Sequence, residues 1–462
     1  MSLRRLSLSA VTASVVVLAG CMVGPDYERA DVGAPETYQF VVDPGESLAN
    51  VEWFEIFADP ALEELVKIAL EENKDLLTAI ARIEEARAQL GFVKADLYPQ
   101  VGGTARGQKT NGTIIPGFRT EAYVLAGSLS WEIDLWGKLR RANESARAQL
   151  LSTIEARNQV QVTLISDVAS TYLLLLDLDD RVQIALDTLN TRKESTRIIQ
   201  ARYDEGIVPL LDVNQAQIEE ADAAAELAEL QRLQQQTENQ LSILLGRNPQ
   251  AIVRGKGLMD IEPIDAIPTG LPSELLERRP DVRQAEQALA AQTAQIGVAQ
   301  AQRFPSLSLT GSLGLVSSDL SDFIDSDNTA GAFGFDLVGP IFDAGKRRSN
   351  VEVQRARTEQ LQRQYEQTII EAFADVEDTL IAIEKLGDEL EARRTQMIAA
   401  QSASKLSRAR YDGGVTSYLE VLESERSKFR AELSQSIVRR ERLVAYVELY
   451  KALGGGWTPE PK

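Results

Sequence analysis

Residues 306–315 read Ser306-Leu307-Ser308-Leu309-Thr310-Gly311-Ser312-Leu313-Gly314-Leu315, with leucine or glycine at every odd position and a small residue at every even one. A period of two over about ten residues predicts a strand with one apolar face and one small, polar face. A turn-rich segment from Ser317 to Asn328 follows, and then a second alternating run in which Phe333, Phe335 and Leu337 oppose Gly334 and Asp336. The pair predicts a hairpin, and about ten residues laid at a tilt is the length a membrane-crossing strand needs.

The same arrangement occurs earlier. After Pro99, Val101, Gly103 and Ala105 alternate with their neighbours; Leu129, Trp131, Ile133 and Leu135 then oppose Ser128, Ser130, Glu132 and Asp134, with turn residues Asn111, Gly112, Pro116 and Gly117 between the two runs. The likeness is an internal duplication, the first thing to read in a long chain. Asp75, Ala88, Gln89, Gly91 and Pro99 recur 206 residues later as Asp281, Ala294, Gln295, Gly297 and Pro305. From Gly137 the offset is 208: Gly137, Lys138, Arg140, Arg202, Tyr203, Asp204, Gly206, Leu245 and Gly246 return as Gly345, Lys346, Arg348, Arg410, Tyr411, Asp412, Gly414, Leu453 and Gly454. The two-residue change falls in a polar loop, where insertions are tolerated.

Each hairpin is followed by a long helical pattern. Between Lys138 and Tyr203 there is neither proline nor glycine, and Leu164, Val168, Tyr172, Leu175, Leu178, Val182, Leu186 and Leu189 step by threes and fours. At 1.5 Å per residue such a helix is about 100 Å long, and helices of that length persist as coiled coils. Residues 347–410 repeat the pattern, without proline and with Gly387 as the one glycine. Gly206 and Pro209, and Gly414 in the second copy, break the chain before a returning helix that ends at Gly246 or Gly454. In the first returning helix Ala221, Ala223, Ala224, Ala225 and Ala228 provide a thin face for close helix approach.

Four strands cannot close on themselves, and an open edge in hydrocarbon leaves backbone groups unpaired at several kcal/mol each. Other copies must complete the ring. Three chains make twelve strands, wider than the roughly eight-stranded barrel that side chains fill, so the small polar faces line an open lumen. The fold class expected is therefore mostly α with a membrane β-barrel: four strands per chain in a twelve-stranded trimeric barrel, continued by an α-barrel of long helical hairpins.

Composition removes most alternatives. The chain has no histidine and a single cysteine, Cys21, so it has no Ser/His/Asp or Cys/His nucleophile and no imidazole metal site. Its formal charge of -20 argues against a nucleic-acid partner. Asp325 and Asp327 match no cation-loop spacing, and no metal is expected. Cys21 closes the stretch Leu18-Ala19-Gly20-Cys21 after Arg4, Arg5 and an apolar run too short to span a bilayer. That is the pattern of a bacterial lipoprotein signal, which implies cleavage before Cys21 and acyl chains on it. Met22 after the cysteine, rather than Asp, resembles lipoproteins sorted to the outer membrane. Beyond this leader no run approaches the ~20 apolar residues of a spanning helix.

The lipobox, the repeated strand-loop-strand and helical hairpin, the Arg-Tyr-Asp-x-Gly turns at 202–206 and 410–414, and the Leu-Gly endings at 245 and 453 resemble the outer membrane factor family, in its lipidated NodT/OprM branch more than its unlipidated TolC branch. The resemblance spans about Trp53 to Gly454. It implies a homotrimer in the outer membrane that meets, through a periplasmic adaptor, an inner-membrane pump of RND type and conducts small molecules outward, with no enzyme activity and no cofactor beyond the lipid on Cys21. By resemblance Arg202, Tyr203, Gly206, Pro209, Arg410 and Gly414 form adaptor-binding tips, and Leu419, Glu420 and Glu423 the periplasmic constriction. Glu420 and Glu423 would make a ring of six carboxylates in a trimer, which favours cations. Asp212 aligns with an acid that latches the tip to Tyr411 and to an arginine; Thr416 stands where that arginine is expected, so the latch is weaker or built otherwise. The division expected is 1–20 leader, 21–58 anchored extension, 59–246 first repeat, 247–271 linker, 272–454 second repeat and 455–462 tail.

Other readings of the same features are an exit duct for type I protein secretion, a coiled-coil spacer lipoprotein, or a hydrolase using paired carboxylates. The spacer leaves four alternating strands without a role, and the hydrolase lacks a compact domain to form a cleft. The gate glutamates have an ordinary alternative as solvated charges, and the Arg-Tyr-Asp-x-Gly turns as helix caps.

Overall fold

The computed structural model of the chain describes residues 22–29, 33, 57–111, 119–262 and 272–456. The lipid-attachment residue Cys21, the leader, most of the extension, the first-copy turn residues Gly112, Pro116 and Gly117, and the end of the tail lie outside the described residues.

Among the described residues the order is α1 (Pro60–Glu72), α2 (Lys74–Ala95), β1 (Gln100–Asn111), β2 (Arg119–Ile133), α3 (Lys138–Asp204), α4 (Leu210–Leu244), α5 (Pro272–Arg278), α6 (Pro280–Ala301), β3 (Ser306–Ser317), β4 (Thr329–Val338), α7 (Lys346–Asp412) and α8 (Tyr418–Ala452). Both long helices have 67 residues and both returning helices 35. The helical stretch between Pro60 and Ala95 is interrupted at Asn73. Its Oδ1 accepts from Asp75 N and Leu76 N, each at 2.9 Å, so its side chain replaces the turn that would have joined the two helices.

The chain divides into two compact units. The first comprises Met1–Val32, Ala81–Glu155 and Gln284–Gln367, and the second Gly33–Ile80, Ala156–Arg283 and Thr368–Lys462. The first unit holds one four-stranded antiparallel sheet in the order β1-β2-β3-β4. Its register puts Leu129 opposite Gly311 and Val101, and Phe335 opposite Leu309, which in turn faces Trp131. Directly paired residues share a face. The apolar positions therefore form one surface, and Ser128, Ser130, Ser308, Thr310, Ser312 and Asp336 the other. Gly314 allows the closest strand approach, because a Cβ there would lie 2.2 Å from Leu125 O.

In the second unit α3 and α4 zip along Leu178, Ala185, Leu189, Ala223, Leu227 and Leu230, all buried. The seven-residue spacings are those of a coiled coil. Of the alanines expected to thin α4, Ala223 alone is buried; Ala221, Ala224, Ala225 and Ala228 are exposed in the single chain. One window of α3 is apolar enough to span a bilayer by length and composition, but 61% of it is buried, with Tyr172, Leu173 and Leu175 fully enclosed. It is core, not a membrane span. The duplication extends to how each returning helix ends. Asn73 Nδ2 donates to Leu244 O at 2.8 Å in the first copy, and the equivalent Arg279 Nη1 donates to Ala452 O at 3.2 Å in the second.

Candidate functional site

Two regions carry the candidate function, each within its own unit. In the first, the sheet turns its apolar face outward. Val101 is 78% exposed, Phe333 78% and Phe335 71%. A soluble sheet buries this face; here it stands clear, and the outer edges of β1 and β4 have no strand partner among the described residues.

In the second unit the two helix-turn-helix tips pack against each other. Ile199, Val213 and Ala216 of the first hairpin enclose Tyr418, Val421 and Leu422 of the second. The Arg-Tyr-Asp-x-Gly turns are matched Schellman caps. Gly206 N donates to Tyr203 O at 2.8 Å and Ile207 N to Arg202 O at 2.8 Å; Gly414 N and Val415 N donate to Tyr411 O and Arg410 O, each at 3.0 Å. Gly206 (φ 74°) and Gly414 (φ 72°) occupy the left-handed position that this cap requires. Pro209 is the N-cap residue of α4. The caps leave Tyr203, Ile207 and Val415 exposed at the surface.

Asp212 and Tyr411, expected to share a latch, are not joined by a hydrogen bond among the described residues. Tyr411 Oη has no hydrogen-bond partner among the described residues, and Asp212, raised by burial, makes no side-chain bond there either. Arg202 takes over. Its guanidinium lies 5.0 Å from the Tyr411 ring centroid and 3.7 Å from Asp412, and Tyr411 tilts against Tyr418 at 5.4 Å. Thr416 donates to Glu420, and Arg410 pairs with Glu420 at 3.2 Å. The carboxylate expected to line the constriction thus carries its own cation, whereas Glu423 and Leu419 are exposed.

A buried charge network just behind the tips was not foreseen. Glu219 of α4, 3% exposed, is held by Arg192 of α3 at 3.2 Å and by Arg426 of α8. Arg192 also lies 5.5 Å from the Phe429 ring centroid. Arg408 of α7 donates to Ser195 Oγ at 2.6 Å and pairs with Glu425 at 3.8 Å. Burial pushes the Glu425 carboxyl up, against the attraction of Arg408 and Arg192. The signal was present in the sequence: Val213, Ala216, Glu219, Ala223, Leu227 and Leu230 form one stripe, with a carboxylate in an apolar position. A charge is retained in such a position when it is paired.

Comparison with known proteins agrees with this geometry. The family model "Outer membrane efflux protein" matches residues 65–247 and 271–455. The chain is 33% identical over 450 residues to the cation efflux system protein CusC of Escherichia coli O157:H7, covering 96% of this chain and 97% of that protein. It is 34% identical over 457 residues to the outer membrane protein OprJ of Pseudomonas aeruginosa, covering 96% and 94% respectively. Among solved structures the outer-membrane channel OprN superposes with a TM-score of 0.87 at 32% identity, over 95% of this chain and 100% of that one. A duplicated chain with an outward apolar sheet, paired coiled-coil hairpins and these relatives belongs to the outer membrane efflux protein family and is an outer-membrane channel of an efflux system.

Proposed function

We propose that three copies of the chain, each anchored by acyl groups on Cys21, close one twelve-stranded barrel and form the exit duct of a tripartite efflux system. The observation that supports this most is the sheet: its apolar face is exposed and both its edges are unpaired among the described residues. The apolar face is costly in water and the open edges are costly in hydrocarbon; lipid covers the first and identical neighbours pair the second. The opposite face carries serine, threonine, glycine and aspartate, which suits a wetted lumen.

In this reading the paired tips are the periplasmic end. The exposed cap residues around Gly206 and Gly414, with Arg202, Tyr203, Pro209 and Arg410, meet a periplasmic adaptor that links the duct to an inner-membrane pump of RND type. Leu419, Glu420 and Glu423 form the constriction, and Asp212 and Tyr411 flank it. Because Arg410 offsets Glu420, Glu423 supplies most of the field that favours cations. The duct performs no bond chemistry and needs no cofactor besides its lipid.

Reconstitution of the purified protein into planar bilayers tests the proposal. Discrete, cation-preferring conductance steps are expected, and a protein that binds bilayers without conducting would be a spacer rather than a duct.

A further inference from the structure

Arg141 of α3 is the largest fully buried side chain of the first unit, at 2% exposure, and its contacts lead to the N-terminal segment. Nη2 donates to Gly24 O at 3.2 Å and to Asp26 Oδ1 at 2.7 Å, Nε to Val23 O at 3.4 Å, and Nη1 to Glu144 at 2.8 Å. Val23 N completes the grip by donating to Trp136 O at 3.1 Å. Tyr27 Oη donates to Glu286 at 3.3 Å, and Arg29 reaches the same carboxylate at 3.5 Å.

Steric fit is as specific as the polar contacts. Gly24 has φ +101°, and a Cβ there would lie 2.4 Å from Gly297 Cα; a Cβ on Gly297 would lie 2.8 Å from both Val23 O and Arg141 Cγ. Two glycines are therefore required for the segment to seat on α6.

The duplication supplies an internal control. Gly137, Lys138 and Arg140 recur in the second repeat as Gly345, Lys346 and Arg348, but the counterpart of Arg141 is Ser349. The Cβ position of Gly137 is filled by Met22, at 2.4 Å from its Cγ, whereas nothing lies within 4 Å of the Gly345 position. Among the described residues, the repeat that receives an N-terminal segment has the arginine, and the repeat against which no such segment lies has serine in its place. General helix packing would demand the residue in both copies.

We infer that Arg141 and Gly297 form a peptide socket whose ligand is the chain's own Val23–Asp26 segment, and that the socket fixes where the lipid-bearing Cys21 leaves the protein. The anchor then belongs to the sheet-bearing unit instead of hanging on a loose tether. Asp26 is the exposed, charge-bearing end of this ligand, and the backbone carbonyls of Val23 and Gly24 are its buried end. The anchor half of the inference rests on the lipid reading of Cys21; the socket half does not.

A nitroxide on Glu28→Cys, an exposed position in the segment, tests it in the full-length, membrane-extracted protein. Lipidated Cys21 leaves one free thiol per chain, so one label per chain is expected, and two would overturn the anchor half alone. In the parent the label should be immobilised. Losing these charge-assisted hydrogen bonds should lower the ratio of seated to free segment by about tenfold or more in Arg141→Met. Arg141→Lys should restore part of it. Gly297→Leu leaves the arginine in place and fills the seat, so it should free the label as well, and it serves if Arg141→Met does not fold. A label equally immobile in Arg141→Met and Gly297→Leu, or mobile already in the parent, would overturn the socket.

Discussion

Glu219 joins the two helical hairpins, because Arg192 reaches it from α3 and Arg426 from α8, the helix that bears Glu420 and Glu423. Arg426 lies three residues beyond Glu423, one turn away on the same helix. Replacing Glu219 by Gln keeps the volume but leaves two guanidinium groups without their shared carboxylate. Removing one partner of a buried ion pair costs about 3–5 kcal/mol. The side chains of Arg426 (39% exposed) and Arg192 (6% exposed) differ in access to water, so Arg426 recovers part of its solvation and Arg192 little. A net cost of about 3 kcal/mol is reasonable, and at 1.4 kcal/mol per decade it corresponds to about a hundredfold loss of closed over open states. Glu219→Gln should therefore raise single-channel open probability and admit bulky antibiotics from outside, with the mass of the assembly unchanged. A double-mutant cycle of Glu219→Ala with Arg426→Ala should show a coupling of about 1–3 kcal/mol in unfolding. Wild-type open probability together with zero coupling would refute the idea that this carboxylate holds the hairpins together.

Four further outcomes are expected. Asp180 is raised to about 6 by burial and by its neighbours Asp177, Asp179 and Asp260, so the folded chain binds its proton more tightly than the unfolded one and stability falls as pH rises from about 4 to 6. Asp180→Asn should flatten that fall and add about 1–3 kcal/mol at pH 8, read by denaturant unfolding across pH. Replacing Glu423 by Ala should weaken cation preference more than replacing Glu420, and Arg410→Ala should strengthen it, as measured by reversal potentials in a salt gradient; the opposite ranking would remove the Arg410–Glu420 pair from the gate. Gly314→Val places a branched side chain against Leu125 O and Ala126 and should abolish assembled channels while leaving helical circular dichroism near wild type. Deleting the gene should raise accumulation of compounds the cell's pumps expel, and unchanged accumulation of every tested compound would count against efflux.

The features that repeat were legible in the sequence. The alternation in 306–315 is visible because each leucine on one face is separated by a serine, threonine or glycine on the other, and the sheet register keeps those faces apart. The turns at 202–206 and 410–414 were legible because glycine at the fifth position is what the cap geometry demands. What was hidden lies where one side chain overrides a periodic pattern. Asn73 carries no apolar-period signal, yet its side-chain amide starts α2 and caps the end of α4. Resemblance placed Asp212 and Tyr411 in a latch, but the cation that meets Tyr411 comes from Arg202, in the other hairpin. Arg141 is one of several arginines in its stretch of sequence, and only the folded chain shows which of them grips the N-terminal segment.

The account depends most on incompleteness of the single chain, whose sheet has, among the described residues, two free edges and an outward apolar face. Native mass spectrometry of protein extracted from outer membranes in mild detergent measures this directly. A single species of three chains, each carrying the mass of its acyl groups, is the predicted result; a stable, detergent-solubilised monomer would contradict it.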